Sequence, residues 1–138
     1  EAGWSGRPLW YAVSDFGANV VLTGGLALQT IDTWIEFIRN PESGVVLQNN
    51  AFELYFEEDD LDAFIEKLKT IEGIEYVHPI LEHSWGQRVV RFYDPDKHII
   101  EVGESMDKVV KRFIDGGLSV EETAARMDVP EDYVRSFL

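Results

Sequence analysis

A glutamate interrupts one of the most apolar segments of the chain. Glu101 lies within residues 99–102, where the other three side chains are isoleucine or valine, a composition typical of a buried strand. A carboxylate in such a strand must be paired, bind a metal ion or face a cavity, because an unpaired buried charge is costly or becomes protonated. Either Glu101 belongs to a binding site, or it faces solvent or pairs with Arg88 or Arg91 across a predicted hairpin.

A second group of reactive side chains precedes that hairpin. His83, Trp85, Gln87 and Arg88 stand within six residues of one another. An aromatic ring beside a guanidinium and an imidazole could hold a planar or anionic substrate, and His83 could move a proton near neutral pH. We predict Glu101 and His83 as catalytic candidates, and Trp85, Gln87 and Arg88 as substrate contacts. The simpler alternative is a tryptophan packed on the edge of the core beside a surface histidine.

A third group follows from the alternation of residues 51–57. Apolar side chains at positions 52, 54 and 56 share one face of a predicted strand, and Glu53, Tyr55 and Glu57 share the other. Tyr55 is therefore a further predicted substrate contact. Glu53 is a candidate ligand, although its face could also be plainly solvated.

These residues need a scaffold, and the pattern predicts one of the α+β class. Two β-prone runs at 18–23 and 26–29 flank Gly24 and Gly25, which favour a tight hairpin turn, and a short helix follows until Pro41. Residues 51–104 then predict a strand, a helix capped by Asp59 or Asp60, and three further strands, the first of them interrupted by Pro79. The order of this segment is therefore βαβββ.

The ends of the chain differ from this central part. Residues 1–17 predict an irregular aromatic arm with a short strand at 9–13, and residues 105–138 predict a helical extension that includes the capping pair Ser119 and Glu122. Two short helices at the end of a chain are typical of a DNA-reading motif, but acidic residues outnumber basic ones in this extension. We therefore divide the chain into the arm at 1–17, a partial module at 18–50, the βαβββ module at 51–104 and the extension at 105–138.

The composition excludes several classes of protein and site. Twelve basic and 26 acidic residues give a formal net charge of -14, which repels nucleic acid and anionic membranes and could attract a cationic ligand. The absence of cysteine excludes disulfides, thiolate metal sites and a cysteine nucleophile. No apolar stretch reaches the length of a membrane helix or resembles a leader, so we expect a cytoplasmic protein that binds a small molecule.

The central segment resembles the vicinal-oxygen-chelate superfamily, which includes glyoxalases, bleomycin-resistance proteins and extradiol dioxygenases. FELYFEEDDLDAF is similar to the opening strand and helix of its βαβββ module, and HSWGQRVVRFYDPDKHIIEVGE is similar to the closing hairpin. DFGANVVLTGGLALQ resembles the second half of another module. The resemblance implies two modules whose strands form a cupped mixed sheet around a metal ion or ligand.

Two departures from that pattern matter. The opening strand and helix of the first module have no counterpart in the sequence, so either the chain is truncated or a second copy completes the sheet, which favours a homodimer. Lys97 stands where the family usually has glycine in the final turn, which a different turn type could accommodate.

The resemblance also implies a set of ligands and two competing functions. Gln29, Glu53 and Glu101 match positions that hold a divalent metal ion in other members, and the implied ion is Mg, Mn, Fe or Zn; oxygen ligands suit Mg, Mn or Fe(II) better than Cu. With a metal ion, the chain would be a lyase or isomerase that binds vicinal oxygens of its substrate; a dioxygenase is a lesser branch, because the usual histidines are absent. Without one, it would be a dimeric protein that sequesters a cationic or aromatic small molecule.

Overall fold

The computed structural model describes residues 12–39 and 41–138 and divides the chain into two compact units, Glu1–Val46 and Leu47–Leu138. Most of the predicted aromatic arm therefore lies outside the described residues. Among the residues described, no helix is long and apolar enough to cross a bilayer.

The first unit holds a three-stranded antiparallel sheet and one helix. Strands β1 (Ala12–Asp15), β2 (Asn19–Leu22) and β3 (Ala27–Gln29) pair in that order, and helix α1 covers Ile31–Ile38. Between β2 and β3, Gly24 has a φ of 82°, a conformation that glycine adopts without strain. The predicted hairpin and short helix are confirmed, and β1 includes residues 12–13 of the predicted strand at 9–13, whose first residues lie outside the described part of the chain.

The second unit begins with the predicted βαβββ order. Strand β4 (Glu53–Glu58), helix α2 (Leu61–Lys69) and strands β5 (Tyr76–Glu82), β6 (Arg88–Tyr93) and β7 (Ile99–Glu104) follow one another. The sheet order is β4-β7-β6-β5, with β4 parallel to β7 and the other pairs antiparallel. The α+β class and the mixed sheet are therefore confirmed, and β7 occupies a central position.

Helix α2 covers one face of this sheet. Asp60 caps it, since its Oδ1 accepts the backbone N–H of Ala63 at 3.0 Å. The buried residues of this core are Leu61, Ile65, Leu68, Val90 and Val102. Because side chains alternate along a strand, residues adjacent to Val90 and Val102 point to the opposite face, away from α2.

The turn between β6 and β7 keeps the backbone that glycine would give. Lys97 has a φ of 66°, in the left-handed region, so the expected change of turn type does not occur. Its ammonium group forms an ion pair with Glu75. Lys97 thus adopts a backbone conformation that favours glycine, and its ion pair ties the turn to the segment before β5.

Three helices complete the second unit. Helices α3 (Met106–Asp115), α4 (Val120–Met127) and α5 (Glu131–Arg135) bury a separate cluster made of Val109, Val110, Ala124, Met127 and Val134. The predicted capping box is confirmed, because the Ser119 hydroxyl accepts the N–H of Glu122 and the Glu122 carboxylate accepts the N–H of Ser119. The extension is therefore a folded part of the unit with its own apolar core.

One buried hydroxyl in this cluster predicts a gain in stability. Thr123 is fully buried, and its Oγ1 has no hydrogen-bond partner among the described residues. Replacing Thr123 by valine keeps the shape and removes the unpaired polar atom, so Thr123→Val should raise the free energy of unfolding by about 1 kcal/mol. Urea denaturation measures the change. Thr123→Ser is the control, since it keeps the hydroxyl and leaves a cavity; it should lower the stability.

Candidate functional site

A group of polar side chains lies on the sheet face opposite α2. Glu53, Tyr55 and Glu57 of β4 share this face with Glu101 of β7 and Arg91 of β6; we call these five residues the polar face. In the register, Glu101 lies between Tyr55 on its parallel neighbour and Arg91 on its antiparallel neighbour. Strand pairing alone thus brings a phenol, a carboxylate and a guanidinium side by side.

Arg91 joins the two carboxylates of this face. Its Nε donates to Glu53 Oε2 at 2.8 Å, and one terminal nitrogen, Nη2, donates both to Glu53 Oε1 at 3.4 Å and to Glu101. The remaining nitrogen lies 3.2 Å from Nε2 of His78, whose Nδ1 lies 2.8 Å from the carbonyl oxygen of Pro79. These contacts fit a neutral His78 that donates from Nδ1 and accepts at Nε2. Of the two predicted arginine partners for Glu101, Arg91 is the one that binds it.

The two carboxylates have different environments. The Glu101 side chain is 7% exposed and that of Glu53 is 37% exposed. The hydrogen bond from Arg91 lowers the pKa of Glu53, in spite of partial burial. Burial raises the pKa of Glu101, and the neighbouring Glu53 raises it further, against the opposing effect of Arg91. As the pH falls, Glu101 therefore takes up a proton before Glu53, which stays ionised to lower pH.

Tyr55 contributes an exposed ring and a held hydroxyl. The residue is 47% exposed, its hydroxyl donates to Glu57 Oε1 at 3.0 Å, and it accepts from Nε2 of Gln87 at 2.8 Å. Burial of the phenol end raises the pKa of Tyr55 to about 12, and the contact with Glu57 acts in the same direction. The phenol is thus a fixed hydrogen-bond donor next to an aromatic surface that a ligand can reach.

Gln87 lies beneath Tyr55. It is buried, and its Nε2 donates to Tyr55 and to the backbone oxygen of Glu104 at 2.9 Å, while its Oε1 accepts the indole N–H of Trp85 at 3.2 Å. Both of its N–H donors are used in this way. The structure therefore makes Gln87 a support for Tyr55, where the sequence predicted a substrate contact.

The other predicted site residues divide into two groups. His83 stacks on Trp85 with ring centroids 4.2 Å apart, and burial, followed by the positive charge of Arg91, lowers its pKa. Arg88, in contrast, points to the α2 side of the sheet, where it pairs with Asp62 at 3.0 Å and with Glu104. The structure does not bring Arg88 together with the polar face. Arg88 and the core residue Val90 are two residues apart on β6, so their side chains point to the same face of the sheet.

The predicted metal ligands are divided between the two units. Gln29 lies on β3 in the first unit, whereas Glu53 and Glu101 are neighbours in the second. Within residues 12–39 and 41–138, no three His, Cys, Asp or Glu side chains form a group that could hold a metal ion. Carboxylate oxygens suit a hard divalent ion, but the Arg91 guanidinium already takes the place of a cation on both of them. In this arrangement the carboxylates fit Arg91 and do not fit a metal ion.

From the sequence, His78 had no predicted role in the site, and Arg91 was indicated only as one of two possible partners of Glu101. The signal for Arg91 was present, since a hairpin closed by the turn at 94–97 places Arg91 opposite Glu101. His78 offered no such signal. The pairing of β5 with β6 is irregular near Pro79, so its register could not be counted from a turn.

The two carboxylates should affect folding stability in opposite directions as the pH changes. Because the pKa of Glu53 is lowered on folding, its stabilising contribution is present above its ordinary value of 4.5 and is lost as the pH falls through the lowered pKa. Because the pKa of Glu101 is raised, its contribution is present below 4.5 and is lost as the pH rises through the raised pKa. Glu53→Gln should therefore be less stable than the parent near neutral pH, and Glu101→Gln should gain stability relative to the parent as the pH rises. Urea denaturation across this range measures both, and parallel trends in the two variants would contradict the assignment.

Comparisons with known proteins agree with this fold. A sequence model described as a glyoxalase-like domain matches residues 11–107. A solved structure of a protein of unknown function from Agrobacterium tumefaciens str. C58 is 37% identical, with a TM-score of 0.59 and coverage of 70% of this chain and 75% of that one. Curated proteins give no match.

Two further solved structures share the fold at lower identity. One is a glyoxalase/bleomycin resistance protein/dioxygenase from Nocardioides, which is 20% identical with a TM-score of 0.52 and coverage of 69% of this chain and 66% of that one. The other is a glyoxalase-related enzyme from Fulvimarina pelagi, which is 17% identical with a TM-score of 0.53 and coverage of 70% of both chains. With the family match over most of the chain, these likenesses show that the chain belongs to the glyoxalase-like domain family of the vicinal-oxygen-chelate superfamily.

Proposed function

We propose that this chain binds a small organic cation on the polar face, without a metal ion. The observation that carries the proposal is the charge balance of that face. Three carboxylates, those of Glu53, Glu57 and Glu101, share this face with a single guanidinium, that of Arg91, which contacts Glu53 and Glu101, and Glu57 lies beside Tyr55 and its exposed ring. A ligand cation that approached Glu53 and Glu57 would complete the neutralisation that Arg91 begins.

The ring of Tyr55 supports the same class of ligand. A cation over an aromatic face is attracted by the negative potential of the ring, and a planar cation also gains from stacking on it. The formal net charge of -14 adds a long-range field that draws cations toward the protein and repels anions. The negative charge and the exposed aromatic ring therefore favour a ligand that is both flat and positively charged.

The family supports a binding role as well as an enzymatic one. The Nocardioides structure is named as a glyoxalase/bleomycin resistance protein/dioxygenase, a name that joins a resistance protein with two enzymes. For this chain we propose the binding role, with the chain acting as a homodimer as the sequence predicts. Light scattering on the same sample tests the dimer, for which twice the mass of 15.8 kDa is expected.

Titration with a planar cationic dye tests the binding proposal. Proflavine should bind the full chain with a change in fluorescence, whereas the planar anion fluorescein should not bind. Glu53→Gln and Glu57→Gln should each weaken proflavine binding about tenfold or more, since a lost contact with a charged group costs roughly 1.5–3 kcal/mol. Added salt should weaken binding in the parent, because partly exposed charges are screened.

The matched control for this titration is Glu66→Gln. Glu66 is an exposed glutamate of α2 that pairs with Lys69, and its replacement removes the same charge without touching the polar face. It should leave proflavine affinity unchanged. Equal losses in all three variants would mean that the dye responds to net charge alone, and the proposal would fail.

A second candidate function is that of a divalent-metal-dependent lyase or isomerase. Its support is the convergence of Glu53 and Glu101 on one cation and the raised pKa of Glu101, which suits a group that exchanges a proton. Because Arg91 occupies both carboxylates, a metal ion would have to displace it. The two candidates therefore differ in whether Arg91 keeps its partners.

Thermal unfolding with added metal ions separates the two candidates. If a metal ion belongs to the site, Mg, Mn, Fe(II) or Zn at about a hundred times its dissociation constant should stabilise the chain by roughly 2.7 kcal/mol. That gain should vanish in Glu53→Gln and Glu101→Gln and persist in Glu66→Gln. On the binding proposal, we expect no metal-dependent gain that these two substitutions abolish.

A further inference from the structure

The turn that supports the polar face is itself held by the C-terminal helices. Residues 83–87 connect β5 to β6, and we call them the β5–β6 turn. Gly86 has a φ of 90°, the N–H of His83 donates to the carbonyl of Gln87 at 2.8 Å, and the N–H of Gly86 donates to the carbonyl of His83 at 2.9 Å. The turn presents Trp85 and Gln87, which meet each other and, through Gln87, the hydroxyl of Tyr55.

Helix α3 contacts the turn at Gly86. A terminal nitrogen of Arg112 donates to the carbonyl of Gly86 at 2.5 Å and to Glu104 Oε2 at 3.0 Å. The ring of Phe113 packs so closely on Gly86 that a Cβ there would lie 2.2 Å from Cζ. Glycine is therefore required at position 86 both by its φ and by this contact.

Helix α4 contacts the turn two residues earlier. Arg126 donates to the carbonyl of Ser84 and to Glu82 Oε1, the latter at 3.1 Å. The guanidinium carbons of Arg112 and Arg126 lie 5.0 Å and 5.5 Å from the centroid of the Phe113 ring. Two helices thus hold the carbonyl groups of Ser84 and Gly86 through a shared cluster of one ring and two guanidinium groups.

The carboxylate of Glu104 links this cluster to the sheet. It is buried between Arg88 and Arg112, and although burial raises its pKa, the hydrogen bonds from these two arginines outweigh burial and lower it. The backbone oxygen of Glu104 also accepts from Gln87. A continuous set of contacts therefore runs from Arg112 through Glu104 and Gln87 to the hydroxyl of Tyr55.

We propose that α3 and α4 position the β5–β6 turn and, through Gln87, the phenol of Tyr55, so that Arg112 and Arg126 are positioning residues for the polar face. The family match ends at residue 107, so these helical side chains lie beyond the family domain and act on its site from outside. Only the consequence for ligand affinity rests on the proposed function. The positioning of Trp85 and Tyr55 stands on the contacts alone.

Solution NMR of the full chain tests the positioning directly. The indole N–H of Trp85 and the Cζ of Tyr55 serve as probes, assigned with Trp85→Phe and Tyr55→Phe in samples labelled at tryptophan and tyrosine. Arg112→Ala and Arg126→Ala should shift both signals and speed hydrogen exchange of the Trp85 indole. Arg126→Lys keeps the charge but cannot bind Ser84 and Glu82 together, so it should move the same signals by a smaller amount. This milder substitution tests the proposal if an alanine variant does not fold.

A matched control and a double substitution sharpen the result. Arg135→Ala removes an arginine of the same extension that pairs with Glu131 in α5, and it should leave both signals unchanged. Gln87→Leu should shift Tyr55, and adding Arg126→Ala to it should not move Tyr55 further, because the connecting contact is already lost. Folded arginine variants with parental Trp85 and Tyr55 signals would overturn the proposal, as would a full additional shift in the double variant.

Proflavine titration of the same variants separates this proposal from the proposed function. Arg112→Ala and Arg126→Ala should weaken proflavine binding by a factor of about 2 to 30, the usual range for residues that act through others. If the NMR signals move and the parent chain binds no proflavine, the positioning stands and the binding function fails. If proflavine binds the parent and the arginine variants equally well, the helices do not tune the site and the proposal is wrong.

Discussion

The structure of the site depends on one guanidinium. Arg91 contacts Glu53 on β4, Glu101 on β7 and His78 on β5, so a single side chain of β6 joins all four strands of the sheet on one face. The side chain of Glu101 is 7% exposed, and without Arg91 the nearest charge to its carboxylate would be the carboxylate of Glu53. The two carboxylates of such a pair repel each other and lose hydration, so both stay ionised only with a cation within hydrogen-bond distance. The positions and charges of the carboxylates on the polar face therefore depend on Arg91.

The same guanidinium makes two identical residue types unequal. Glu53 keeps much of its hydration and receives two hydrogen bonds from Arg91, which lowers its pKa, whereas burial dominates at Glu101 and raises its pKa. Two carboxylates with pKa values moved apart can hold one charge and one exchangeable proton in the same site. This inequality favours a face that presents a permanent anion to a ligand at Glu53, with Glu101 as the adjustable partner behind it.

Local pattern predicted the scaffold well, and tertiary contacts account for what it missed. Alternation in β4, the cap at Asp60 and the capping box at Ser119 are properties of neighbouring residues, and the structure has all three. The burial of Gln87 depends on the backbone oxygen of Glu104 and on helix α3, which no short pattern in the sequence encodes. The resemblance to metal-binding relatives matched Glu53 and Glu101 by position, but it carried no information on the arginine that occupies them.

A pair of cross-strand contacts explains why β6 and β7 hold their register. Arg91 meets Glu101 on the polar face, and Arg88 meets Glu104 on the α2 face, so two ion pairs three residues apart anchor both sides of one strand pair. A slip of one residue would turn both arginines to the wrong face. A slip of two residues would place Arg91 opposite Ile99 or Gly103, leave Glu101 without its cation and leave Glu104 with Arg112 alone. Placing a buried acid on each face of a central strand is costly, yet it makes the observed pairing the one in which both acids are neutralised, and the geometry of the polar face follows from that pairing.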